Sequence, residues 1–329
     1  MLVSVAAVGA ELSPGPAATQ APPAVVDGRL IMGSVAAAGG VRAYTLFVPA
    51  RMPAAGARAL IVFLHGCTQD AADAIRGVGL NAIAERDGFL VLYPEQRADA
   101  HPQRCWNWYA DAQTQRGAGE VAVLNAMVLE VARANAVDAR RIALAGISAG
   151  GAKASALAVA YPETFTRLAI HSGLPAGAAH DVTSALVAMR HGAEDPDALG
   201  AAAFRTMATR ARAIPTLAWH GAADPVVSAR NLTATARQWA VTNALALGAP
   251  PPGAEPTERE TVHTPGRYDA ERLVWRTVDG TVLAESWNVS GLGHAWSGGS
   301  SDGTFTDPKG PPATEIIVRF LLAGNPQGR

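Results

Sequence analysis

Short, unbroken apolar runs recur along the chain: Ala43–Val48 closed by Pro49, Leu60–Leu64 ending in His65-Gly66, Phe89–Tyr93 closed by Pro94, Arg141–Ala145, Arg167–His171 and Pro215–His220. Runs this short that do not alternate with polar residues fit strands buried on both faces. Between them lie stretches with helical spacing. Ala72–Arg86 stops at Gly88, and Glu120–Asn135 carries Val121, Leu124, Val128 and Val131 on one stripe. Ala149–Ala160 is built of small residues and ends before Pro162, and Val227–Ala240 follows the last of these strands. Strands alternating with helices predict an α/β chain, with a mostly parallel central sheet and helices on both faces.

Two segments break the rhythm. Ala176–Arg212 is an Ala-rich excursion long enough to cap a site, and Gly248–Thr264 reads as a Pro-rich loop carrying Glu255, Glu258 and Glu260. A hairpin is expected next, Arg272–Thr277 with Thr281–Val289, joined at Asp279-Gly280. Ala313–Ala323 reads as the last helix. Neither irregular segment has the composition of a domain linker and no internal repeat is visible, so residues 29–329 are expected to form one domain. Residues 1–28 read as a flexible leader or the remnant of a signal. Pro14, Pro16, Pro22 and Pro23 fall in this stretch, and no Lys or Arg precedes Arg29.

Composition narrows the function classes. Of 329 residues, 49% are apolar and only 17% charged, which allows a large core. The net charge of −1 gives no footing for nucleic acid or an anionic membrane as partner. No later uncharged run is long enough to span a bilayer, so the chain is expected to be soluble. Cys67 and Cys105 match no metal-site spacing. They fit one disulfide in an exported protein or two buried thiols in an intracellular one.

The chemistry centres on Gly146-Ile147-Ser148-Ala149-Gly150. An apolar strand runs into this motif and a small-residue helix runs out of it. That context puts a serine on a tight elbow with its hydroxyl above the sheet. A serine hydroxyl needs a base, and the base needs an orienting acid, which in this arrangement follow in the order Ser, Asp or Glu, His. Asp224 lies just past the strand Pro215–Trp219, whereas Asp181, Asp195 and Asp197 lie on no strand end and read as solvated charges. Past Asp224 only His263 and His294 remain. His263 sits in the Pro-rich loop, so His294 is the expected base. His171 and His220 end strands and read as hydrogen-bonded structural residues. The tetrahedral intermediate also needs donors for its oxyanion, and the backbone amides of Ala149 and Cys67 are expected to supply them. Cys105-Trp106-Asn107-Trp108-Tyr109 is an aromatic cluster fit to line a site or fill a core.

The motifs His65-Gly66-Cys67-Thr68-Gln69, Cys105-Trp106-Asn107-Trp108, Gly146–Gly151 and Gly291–Gly299 with Thr306-Asp307-Pro308 resemble those of the polyhydroxybutyrate depolymerase family. These are α/β-hydrolase esterases related to feruloyl and acetylxylan esterases. The resemblance spans roughly Leu30 to Leu322. It implies an α/β-hydrolase fold, Ser148, Asp224 and His294 as triad, Cys67 and Ala149 as oxyanion donors, and a Cys67–Cys105 disulfide. It also implies substrate contacts at His65, Trp106 and Trp296, and a secreted or periplasmic enzyme. The expected substrate is a 3-hydroxyalkanoate polyester or its oligomers, with feruloyl or acetylxylan esters as the alternative. No cofactor and no metal are expected. The secreted polymer-degrading members usually append a linker and a separate polymer-binding domain after the catalytic one, and none is expected here, which leaves short oligomers, amorphous polymer or a soluble aryl ester as the expected substrates.

Overall fold

In the computed structural model, which describes residues 27–324, the apolar runs become the middle of one ten-stranded sheet. All of the 1–28 leader except Asp27 and Gly28 lies outside the described residues. The chain opens with β1 (Arg29–Ala37), β2 (Gly40–Val48), β3 (Arg58–Leu64), α1 (Ala71–Val78), α2 (Leu80–Asp87) and β4 (Leu90–Pro94). It continues through α3 (Gly119–Ala134), β5 (Val137–Ile147), α4 (Ala149–Ala160) and β6 (Arg167–His171). The excursion and its return form α5 (Val182–His191), α6 (Pro196–Met207), β7 (Thr216–Gly221) and α7 (Arg230–Ala246). The last part holds β8 (Glu258–Val262), β9 (Ala270–Arg276), β10 (Val282–Val289), β11 (Trp296–Ser297), β12 (Thr306–Asp307) and α8 (Ala313–Leu322).

The sheet order is β1-β2-β4-β3-β5-β6-β7-β10-β9-β8. From β4 to β10 every neighbouring pair is parallel, while β1, β2, β9 and β8 flank this centre as antiparallel strands. The parallel strands are buried on both faces, which is why they read as unbroken apolar runs. In β3, Leu60, Val62 and Leu64 pack with α3 and α4 on one side. Ile61 and Phe63 pack with α1, α2 and α8 on the other. Truncating one such buried leucine to alanine typically costs about 2–5 kcal/mol.

Two expectations need correction. The single helix Ala72–Arg86 is two helices, because Gly79 takes the left-handed conformation (φ 76°) and ends α1 before α2 begins. The Pro-rich stretch before the hairpin is not all loop, since Glu258–Val262 pairs antiparallel with β9 as an edge strand. Its side chains are nearly all exposed, and Glu258 and Glu260 face Arg272 and Arg276 across the ladder. A charged edge strand discourages further pairing but leaves no apolar alternation to detect. β1, at the opposite edge, is mostly exposed as well, with Leu30, Ile31 and Met32 facing outward and only Val35 buried, so its burial follows no alternating pattern.

Candidate active site

Ser148 follows the end of β5 and precedes α4. Its backbone holds φ 56° and ψ −125°, a conformation that costs a side-chain-bearing residue strain and that lifts the hydroxyl clear of the sheet. Gly150 makes the turn possible: a Cβ there would stand 2.2 Å from the Leu64 carbonyl oxygen and 2.4 Å from that of His65. The helix start can therefore lie directly against the end of β3 only if residue 150 has no side chain.

Asp224 lies three residues past β7, and His294 five residues past β10. Both strands are parallel to β5 in the same sheet, so all three residues emerge at one edge, beyond the carboxyl ends of the strands. The hydroxyl of Ser148 is 2.9 Å from His294 Nε2, and His294 Nδ1 donates to Asp224 Oδ2 at 2.7 Å. Asp224 Oδ1 accepts the amides of Val226 (2.8 Å) and Val227 (2.9 Å). His220 Nε2 lies 3.2 Å from Oδ2. Burial alone would raise the Asp224 carboxyl, but the donors from His220 and His294 outweigh it and hold the group far below the usual carboxylate range. The acid is thus ionised and fully hydrogen-bonded.

The loop after β3 leaves one amide hydrogen facing the site. Gly66 N–H donates to the Gln69 side chain at 2.9 Å, and Thr68 N–H donates to the Gln103 carbonyl at 2.6 Å. Between them, the Cys67 amide has no hydrogen-bond partner among the described residues. Ala149 N–H, at the first position of α4, is one of the amides a helix leaves unpaired. Gln69 is held in turn by Asp73 (2.8 Å) and the Thr304 carbonyl (3.1 Å). Sequence reasoning did not single out Gln69, although it lies in the quoted motif.

Cys67 and Cys105 are joined by a disulfide, 38 residues apart. In the chain-entropy picture a ring of that size removes about 4 kcal/mol of unfolded-state freedom. It also ties the loop after β3 to the aromatic segment. That segment is anchored from below by the buried ion pair of Lys153 Nζ with Glu120 Oε2, at 2.8 Å. Lys153 also donates to the carbonyls of Asn107 (3.0 Å) and Gln113 (2.9 Å). Glu120 accepts the Asn107 amide and side chain as well.

A cavity of about 410 Å³ opens over Ser148 and His294, with Gly66, Cys67 and Ala149 also in its wall. Its remaining lining is largely apolar, including Trp108, Tyr109, Leu174, Leu186, Met189 and Phe305. Trp106, Trp296 and His65, expected to touch substrate, are absent from this lining and must be corrected. The Trp106 indole is fully buried and donates to the His65 carbonyl at 3.1 Å. Trp296 is buried against His171 and Phe63 and donates to Thr314. His65 accepts the Gln96 amide at 3.1 Å, and burial pulls it down to about 4, so it stays neutral. All three brace the cavity from behind. The residues actually in the wall are Trp108 and Tyr109, their rings edge to face at 5.6 Å. A tight turn, in which the Trp108 amide donates to the Trp106 carbonyl at 2.9 Å, sends one indole to the core and the other to the cavity.

The other candidates fall where a structural role places them. Asp181 and Asp195 cap α5 and α6, and Asp197 pairs with Arg237. His263 is exposed beside Asp269. Among the described residues no three His, Cys, Asp or Glu side chains converge as metal ligands, and no helix is long and apolar enough to cross a membrane.

The family model described as esterase PHB depolymerase matches residues 42–260, a span that includes Ser148 and Asp224 and stops short of His294. Poly(3-hydroxyalkanoate) depolymerase C of Paucimonas lemoignei is 31% identical over 75% of this chain and 56% of its own length. Feruloyl esterase B of Neurospora crassa is 33% identical over 41% of this chain and 44% of its own. The chain thus spans about half the length of these relatives. Among solved structures, acetyl xylan esterase from Aspergillus awamori superposes with a TM-score of 0.68 at 20% identity, covering 80% of this chain and 94% of that one. Its likeness shows the α/β-hydrolase fold shared by the two. With two thirds of its length matched by the family model, this chain belongs to the esterase PHB depolymerase family.

Proposed function

We propose that the chain is a serine esterase that cleaves 3-hydroxyalkanoate polyesters or their oligomers through an acyl-enzyme. The observation that carries this is the unbroken hydrogen-bonded line Ser148–His294–Asp224 opening into an apolar cavity. Ser148 Oγ attacks the ester carbonyl as His294 Nε2 takes its proton, with Asp224 holding the imidazole and balancing its charge. The oxyanion is received by the amides of Cys67 and Ala149. His294 then returns the proton to the leaving alcohol, and water releases the acid by the same steps. Residues from 29 onward act as one catalytic domain, and the Cys67–Cys105 disulfide fits an exported enzyme.

The apolar character of the site extends beyond the cavity. Val182 and Leu186 on α5, with Val226 and Phe305, line the cavity and are 45–58% exposed. They give the mouth an aliphatic and aromatic surface, which suits a polyester chain better than a polysaccharide. The second reading, a feruloyl ester, is favoured by one observation, the Trp108–Tyr109 pair in the wall.

The deciding experiment is chromatography of the acids released from amorphous poly(3-hydroxybutyrate) and from methyl ferulate, with Ser148→Ala as blank. Release of 3-hydroxybutyrate or its oligomers is expected. Ferulate release without polymer products would move the assignment to the second reading, and equal release by the blank would overturn the nucleophile. The rim gives a separate prediction. The double variant Val182→Ser/Leu186→Ser is expected to lose about tenfold or more of its rate on solid polymer. Its kcat on a small soluble ester should change by less than about threefold, because neither side chain touches the reacting groups. Equal losses on both substrates would show that the rim acts on folding or chemistry instead.

A further inference from the structure

The esterase reading uses Asp224 as the group that orients His294, and His220 then stands in an unassigned position. His220 is the next-to-last residue of β7, four residues before Asp224, and is buried. Its Nε2 is 2.9 Å from the Val227 carbonyl oxygen and 3.2 Å from Asp224 Oδ2. A carbonyl can only accept, so the imidazole proton sits on Nε2 and is shared between that carbonyl and the carboxylate. Oδ2 therefore receives two imidazole N–H groups, one from His294 and one from His220. Oδ1 is closed by two backbone amides.

We propose that His220 is a positioning residue that tunes the Asp224–His294 pair, drawing charge from the carboxylate oxygen that faces His294. The consequence follows from the geometry and rests on the triad reading. With the His220 donor in place, Oδ2 is shared between two imidazole N–H groups and is not given to His294 alone. This keeps His294 able to return its proton to the leaving alcohol. Take the donor away, and the carboxylate cannot rotate because Oδ1 stays pinned by the Val226 and Val227 amides. Oδ2 then acts on His294 alone and raises its proton affinity.

The surrounding groups do not supply a competing charge. The register partner of His220 on β10 is the uncharged Asn288. His171, at the end of β6, is the other ionisable side chain near the cluster. It accepts the Ser297 amide on Nε2 at 3.2 Å, with Nδ1 3.0 Å from Ser172 Oγ, and burial holds it neutral, well below its ordinary range.

The test is the pH profile of kcat/KM on a soluble ester for His220→Met, which removes the donor, and His220→Gln, which keeps one at the same reach. The acid limb of His220→Met is expected to move to higher pH by on the order of half to one unit. Its kcat near neutrality should fall about three- to tenfold with KM unchanged, while the limb of His220→Gln stays at the wild-type position. If His220→Met does not fold, His220→Asn makes the same comparison, being polar but too short to reach Oδ2. An unmoved limb in the donor-less variants, or the same shift in His220→Gln, would overturn the proposal. Failure of the triad reading itself is distinguishable, because it would appear as activity surviving in Ser148→Ala.

Discussion

Asp224→Asn is expected to lower kcat by about 10⁴-fold while the protein keeps its fold. The reason is the way the carboxylate is held. Oδ1 accepts two backbone amides, so the asparagine oxygen must stay on that side and its NH₂ group is forced towards His294 and His220. An NH₂ facing His294 Nδ1 cannot accept a proton there. The imidazole must then carry its hydrogen on Nε2, the atom 2.9 Å from Ser148, and can no longer take the serine proton. In a site without the two amides an asparagine could flip and restore the native tautomer. Here the flip would bury two donors against two donors. The measurement is kcat on a soluble ester, with circular dichroism as the check on folding. A loss of under tenfold would mean that the tautomer of His294 does not matter, and that Nε2 is not the base.

The second large effect concerns stability. Lys153→Met is expected to destabilise the fold by about 3–5 kcal/mol, with a fall in Tm on the order of 5–10 °C. Lys153 and Glu120 are both completely buried. Burial alone would raise the Glu120 carboxyl, but Lys153 and the donors of Asn107 and Gln96 hold it below the usual glutamate range. Burial also pulls the Lys153 ammonium below its ordinary value, against the pull of Glu120. Removing the lysine strands a carboxylate in the core and frees the carbonyls of Asn107 and Gln113. The double variant Lys153→Met/Glu120→Gln should recover much of the loss, since no uncompensated charge then remains. The readout is thermal denaturation of both variants beside the wild type. A double variant no more stable than Lys153→Met would show that the hydrogen bonds, rather than the stranded charge, carry the effect.

The sequence made some features legible and hid others, for physical reasons. The parallel core could be read because its strands are buried on both faces and appear as short, mostly apolar runs. The elbow at Ser148 could be read because it demands glycine where backbones touch. Asp224 and His294 followed from their places after strands. The cavity wall was harder, since Trp106 and Trp108 look alike in a string and differ only in which way the backbone turns them. The Lys153–Glu120 pair left no mark, because a lysine on a small-residue helix reads as solvated until α3 is seen to cover it. β8 and the outer face of β1 were lost for the opposite reason, as edges that owe the core nothing.

The connection between β6 and β7 carries a consequence for how such an enzyme diversifies. These strands are direct neighbours, and a parallel connection needs only a dozen or so residues. This one spans residues 172–215 and is therefore several times longer than topology requires. Of its two helices, α6 is fastened to α7 through Asp197 with Arg237 and Thr242 with the Gly200 carbonyl. α5 buries little more than Ala185 and Ala188, and presents Leu186 and Met189 to the cavity. The structure can therefore accept changes along α5 with little loss of core. One contiguous stretch of chain supplies part of the cavity wall, and altering it leaves the strand ends that carry the reacting atoms in place.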